Sequence, residues 1–304
     1  MKKIGIVICI IVTLTITGCT IHIGDGSNGF KDIETIETRT ETFVSEKEDT
    51  NELTLDLEMG IGELNIQGGS SKLLDASIDY NVEKWKPIFR EKTSDADIGK
   101  NKKITIEQPQ SKFVNTNPFS NNIIYDWDIN LNNEIPVTLN ADLGVSKSKI
   151  DMSKVNVKKL DIDAGVGAVN IDMTGDYDNK LDIDINGGVG KVKMDMTGDY
   201  KEKIDIDIES GVGNVEVNLD GNYENDVKID LEGGVGSTEI TLPKDIGVYV
   251  EVEKGLGGIS IKSNKLKLVS SDNGTKIYKN DIYDSAEVKM NINMDVGVGS
   301  VLLK

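Results

Sequence analysis

The chain has 304 residues and a formal charge of -18, from 34 Lys and Arg against 52 Asp and Glu. Arg39 and Arg90 are its only arginines, and scarce cationic forks together with a strongly negative field argue against nucleic acid and anionic lipid as partners. Two cysteines, Cys9 and Cys19, and one histidine, His22, leave little scope for thiol, metal or imidazole chemistry.

Lys2 and Lys3 precede an apolar run from Ile4 to Ile16, shorter than the about 20 residues a membrane span needs. The run ends in Ile16-Thr17-Gly18-Cys19, which resembles a bacterial lipobox. That resemblance implies a signal peptide over residues 1–18 and a diacylated Cys19 at the mature N-terminus. Two acyl chains suffice for stable attachment to the outer face of the cytoplasmic membrane. Losing Lys2 and Lys3 would take the charge from -18 to -20, and losing Cys9 would leave no disulfide partner for Cys19. His22 lies three residues beyond Cys19, in a polar segment rather than near other ligating residues.

Residues 19–50 are polar, with a Thr- and Glu-rich run, and are expected to form a flexible tether. An N-terminal β domain is expected over residues 51–136. It opens with Leu53, Leu55, Leu57 and Met59 on one face, then Gly60-Ile61-Gly62, then Leu64 and Ile66. Shorter alternating runs follow at Ala76–Tyr80, Lys103–Ile106 and Ile123–Leu131. Phe113–Asn122 has the Asn, Pro and Ser of a loop. Trp85 and Trp127 are read as core or cap residues.

Residues 137–304 carry the main signal. LDIDAGVGAVNIDMTGDY, LDIDINGGVGKVKMDMTGDY, IDIDIESGVGNVEVNLDGNY and VKIDLEGGVGSTEITLP repeat every 23 residues, with glycine pairs at 165/167, 188/190, 211/213 and 234/236. A fixed period of this size marks a solenoid or an array. Within a repeat, Leu181, Ile183 and Ile185 alternate with polar residues, and Val192, Met194 and Met196 resume the pattern with switched parity. Two strands joined by a glycine corner explain that switch. An antiparallel meander and a parallel stack both fit, and the position-by-position identity favours the stack.

The expected fold is therefore all-β: a β-solenoid of stacked two-strand coils. Ile162, Ile185, Ile208 and Leu231 would form one inward ladder, Val169, Val192, Val215 and Thr238 a second, and Met173, Met196, Leu219 and Leu242 a third. The stretch from Tyr283 to the end is read as the terminal coil, with Ser263–Asp281 as an inserted hairpin.

Two surface features could carry a function. Asp161, Asp184, Asp207 and Asp230 would share one outward column about 4.8 Å apart. They form either a solvated acidic face or a site for a hard cation such as Ca²⁺, although no segment matches a calcium-binding loop. Tyr177, Tyr200 and Tyr223 would stack at one corner, either shielding the turn or binding a partner. No cofactor is otherwise expected. The acidic residues belong to the period rather than breaking it, so paired-carboxylate glycan hydrolysis is the least supported reading.

Leu55–Ile66, Leu73-Leu74-Asp75-Ala76, Tyr80-Asn81, Trp127 and Ile135-Pro136-Val137 resemble the N-terminal domain of toast-rack proteins. The GVG coils and the Tyr283–Leu303 ending resemble the related putative-adhesin β-solenoids and the C-terminal domain of cell-wall-active antibiotic response proteins. The resemblance implies a surface or envelope interaction and brings no catalytic residues. The expected function is non-catalytic: a lipid-anchored, extracytoplasmic protein binding cell-wall polymer or an envelope protein, as an adhesin or scaffold. The alternative is a regulatory lipoprotein of the envelope-stress response.

Overall fold

The computed structural model describes residues 34–109, 123–263, 265–272 and 274–304. The leader, Cys19, His22 and the whole of Phe113–Asn122 lie outside the described residues.

The strands follow in order β1 (Arg39–Ser45), β2 (Thr50–Ser70), β3 (Leu74–Tyr80), β4 (Ile88–Asp95), β5 (Lys100–Glu107), β6 (Tyr125–Asn132), β7 (Val137–Asp151), β8 (Val157–Asp172) and β9 (Asp176–Tyr177). They continue as β10 (Leu181–Asp195), β11 (Asp199–Tyr200), β12 (Ile204–Asn218), β13 (Asn222–Tyr223), β14 (Val227–Thr241), β15 (Gly247–Ile261), β16 (Leu266–Asp272), β17 (Thr275–Asn280) and β18 (Lys289–Leu303). The long strands stack in parallel in the order β2, β7, β8, β10, β12, β14, β18, β15. This is a β-solenoid, as the period requires.

Each repeat contributes one 15- or 16-residue strand that bends at its glycine pair, rather than two separate strands, and in the first three repeats a two-residue strand follows. The short strands β9, β11 and β13 form a small parallel sheet of their own. The bend needs glycine for a steric reason. Gly190 has φ +143°, a conformation side chains rarely adopt, and its corner packs directly on the corner of the coil before.

Register pairs Ile162 with Ile185, Ile185 with Ile208, and Ile208 with Leu231, all buried. The Val169 and Met173 ladders are buried throughout. Each such side chain contributes about 1.5–3 kcal/mol of transfer free energy. Because every coil buries its ladders only against its neighbours, the stack and not the single repeat is the stable unit.

Three expectations change. The tether does not run to residue 50. Residues Arg39–Ser45 pair antiparallel with β3, and Phe43 stacks on Phe89 at 5.1 Å between ring centroids. Period-2 alternation is too brief there to announce a strand, but the free edge of β3 accepts one. The division at 136/137 leaves no break in the sheet, because Leu53–Ile66 pairs with Val137–Ile150 in the same stack. Finally, β18 is not the last coil. It lies between β14 and β15, and the β16–β17 hairpin packs on the outer side of β15.

The N-terminal end is capped in two halves. β5 covers the first half of β2 and β6 covers the second. Trp85, Tyr125 and Trp127 pack edge to face behind this cap, all buried, at centroid separations of 6.0 and 5.8 Å. Among the described residues no helix is long and apolar enough to cross a membrane.

Candidate functional site

The outward face of the first half of every coil carries three parallel columns. The middle one holds Asp161, Asp184, Asp207 and Asp230 in direct register, extended by Asp56 and Asn140 on one side and Asn293 and Glu251 on the other. Lysines reach in from the neighbouring column at both ends of the aspartate run. Lys159 Nζ lies 2.9 Å from Asp161, and Lys228 pairs with Asp230. Asn293 Nδ2 also donates to Asp230 at 2.8 Å.

Asp184, inside the run, and Asp230, at its end, differ electrostatically. Burial, together with the Asp161 and Asp207 charges, pushes the Asp184 carboxyl up from its ordinary value. The hydrogen bond from Lys228 holds the Asp230 carboxyl down. No group of three or more His, Cys, Asp or Glu among the described residues is arranged to hold a metal ion. The aspartates stand in a line, whereas Ca²⁺ takes six to eight oxygens converging at one point.

The three tyrosines lie inside the protein. Tyr177, Tyr200 and Tyr223 stack at 5.3 and 5.0 Å between centroids, nearly parallel, and all are buried. Tyr177 donates to the Met152 carbonyl at 2.8 Å and Tyr223 to that of Met196 at 3.2 Å. Tyr200 donates to the Met173 carbonyl. Their rings fill the third side of the coil and cannot offer their faces to a partner. Each is the inward residue of a two-residue strand, and burial pushes all three hydroxyls well above the ordinary tyrosine range.

Sequence reasoning did not single out the third column. Glu58, Asp142, Asp163, Asn186, Glu209, Glu232, Asp295 and Glu253 follow one another across eight consecutive rungs. It borders a shallow groove of about 640 Å³ floored by the corner glycines, such as Gly165, Gly188, Gly211 and Gly234. One residue beyond each of these glycines stands an exposed apolar side chain. Val166, Val189, Val212, Val235 and Val298 are 47–50 % exposed, and Leu256 is 73 % exposed. The repeat places each valine between two glycines, but it is in phase with the first inward set (Val189 with Leu181, Ile183 and Ile185), so alternation alone would have turned it inward.

A second cleft, at the N-terminal end, is lined by Glu63, Asp126, Asp128, Lys147 and Lys149. Burial there, with Glu63, Asp79 and Asp128 nearby, pushes the Asp126 carboxyl up.

Two family models cover the described fold. Residues 33–195 match the N-terminal domain of toast-rack proteins. Residues 196–303 match the C-terminal domain of LiaF, a cell wall-active antibiotics response protein. The chain belongs to the toast-rack family. A search of curated proteins finds no match. Among solved structures, a "putative cell adhesion protein" from Clostridium sporogenes is 28% identical over 88% of this chain and 99% of its own, with a TM-score of 0.49. A "putative adhesin" from Bacteroides fragilis is 15% identical over 90% of this chain and 100% of its own, with a TM-score of 0.38.

Proposed function

We propose that this protein is a non-catalytic, lipid-anchored binding module of the bacterial envelope, held at the outer face of the cytoplasmic membrane by Cys19. The observation that carries the reading is the eight-rung parallel stack. It turns a 23-residue period into one uninterrupted outward face, about 34 Å long at 4.8 Å per rung. Such a face suits a long partner contacted at many equivalent points, and its side chains belong to the period rather than to a pocket. The adhesion wording attached to similar structures fits this reading, as does the lipobox-like leader.

Affinity capture from the native envelope with the full chain tests it. Recovery of a cell-wall polymer or matrix protein is the expected result, and recovery of nothing beyond the background of an unrelated lipoprotein overturns it. Cys19→Ala should move the protein out of the membrane fraction, and a variant that stays membrane-bound with a cleaved N-terminus refutes the anchor. A second reading, a regulator of the envelope-stress response, draws on the antibiotic-response description of the family matching residues 196–303. Capture of a signalling membrane protein in the same experiment would favour it.

A further inference from the structure

We propose that the valine ridge and the acidic column beside it form the docking site of a basic amphipathic helix. The proposal rests on the reading of the protein as a binding module and names the chemistry of its partner.

The ridge is an apolar surface that folding leaves uncovered. Val166, Val189, Val212, Val235, Val298 and Leu256 occupy successive rungs, so the row runs about 24 Å along the stack. Inward positions of the same coils are buried, and a contiguous apolar row that stays wet marks an interaction surface.

Beside it runs the column Asp142, Asp163, Asn186, Glu209, Glu232 and Asp295, across the glycine-floored groove. No ion pair among the described residues reaches these carboxylates. The middle column, by contrast, has lysines at both ends of its aspartate run. In each coil the column residue precedes the ridge residue by three positions, which caps the separation of their Cα atoms at about 11 Å.

Charge complementarity selects the occupant. A second copy meeting this face would set carboxylate against carboxylate, and an anionic membrane would be repelled. A neutral glycan finds no aromatic side chain on the ridge to stack against. A peptide segment with an apolar stripe and a flank of Lys or Arg satisfies both rows at once. Helix geometry fits the spacing: residues i, i+3/i+4 and i+7 advance about 5.4 Å per turn against about 4.8 Å per rung, and a helix 10–12 Å across spans from ridge to column.

The test uses the full chain and a fluorescein-labelled peptide of about 18 Leu and Lys residues, apolar at i, i+3, i+4 and i+7, roughly as long as the ridge. A scrambled peptide of identical composition and a version with Glu for Lys are the controls. The designed helix should bind about tenfold or more tighter than the scrambled peptide, with affinity falling as NaCl rises, and the Glu version should not bind. The triple change Val189→Ser, Val212→Ser and Val235→Ser should erase the advantage over the scrambled peptide. Glu209→Gln with Glu232→Gln should weaken binding about tenfold and flatten its salt dependence.

These side chains are exposed and without ion pairs, so the fold should survive. If the triple change lowers the melting temperature, Val212→Ser alone makes the same comparison. Equal binding of designed and scrambled peptides, full binding by the valine variants, or no binding of the designed helix overturns the proposal. Envelope capture repeated with the triple variant separates the two claims. A partner still captured sinks this site but leaves the binding module, whereas a wild-type chain that captures nothing sinks the binding module itself.

Discussion

A methyl group placed on Gly190 would lie 1.8 Å from the carbonyl oxygen of Gly167, the matching corner of the preceding coil. Two penalties coincide there: a backbone clash and φ +143°. Gly190→Ala should therefore destabilise the protein by about 3 kcal/mol. Gly258, in the last coil, has nothing within 4 Å of such a methyl. Gly258→Ala should leave the denaturant midpoint nearly unchanged. Equal losses at the two sites would mean that the corners do not pack as described.

The stacked tyrosines make an alkaline prediction. Their hydroxyl pKa values in the fold lie above the ordinary value of about 10. A group raised in the folded state keeps its full contribution below its unfolded pKa and loses it as pH climbs toward the folded one. Stability should hold to about pH 10 and then fall, by up to about 1.4 kcal/mol per pH unit for each tyrosine. Tyr200→Phe keeps the stack but deletes the hydrogen bond to the Met173 carbonyl. It should cost about 1–2 kcal/mol at neutral pH and make the alkaline decline shallower. Melts at pH 7, 10 and 11 check both.

Asp184 and Asp230 share a column and should respond with opposite signs. Asp184 has a raised folded pKa, so it favours the fold when protonated and opposes it once pH passes its unfolded value. Asp184→Asn should stabilise the protein at pH 7, by about 0.5 kcal/mol, and the gain should shrink as NaCl screens Asp161 and Asp207. Asp230 has a lowered folded pKa, so its contribution is present at neutral pH and is lost as pH falls through the folded value. Asp230→Asn should destabilise slightly at pH 7 and be neutral in acid. The same sign for both substitutions at pH 7 contradicts the arrangement of lysines at the column ends.

Deleting Leu181–Lys203 removes one whole coil and brings Ile162 into register with Ile208. A folded, shorter solenoid with a single cooperative melt is expected, because coils contact mainly their neighbours. Deleting Leu181–Lys191 instead shifts every later ladder and should abolish the melt of the C-terminal coils. Circular dichroism on the two deletions distinguishes the outcomes.

What the sequence by itself determined was whatever the period encodes. Equal spacing, alternation on both sides of the glycine pair and identity at each position favoured a parallel stack over a meander and named its register and inward ladders, and the strand pairing is that stack. These follow from local chemistry, because a pleated chain with one apolar face admits only one phase against an identical copy. The tertiary structure decided the rest. β15 and β18 carry the same coil pattern, so their order could not be read. β18 takes the inner place, with Met290, Ile292, Val301 and Leu303 fully buried, while Ile259 and Ile261 of β15 remain only partly covered. The β16–β17 hairpin pairs antiparallel on the outer side of β15, which keeps it out of the parallel stack. The tyrosines read either as a shield over the turn or as a partner-binding row, since a two-residue strand has too little alternation to give its facing. The acidic column and the valine ridge join residues 21 or more apart into rows, and rows exist only once the coils are stacked.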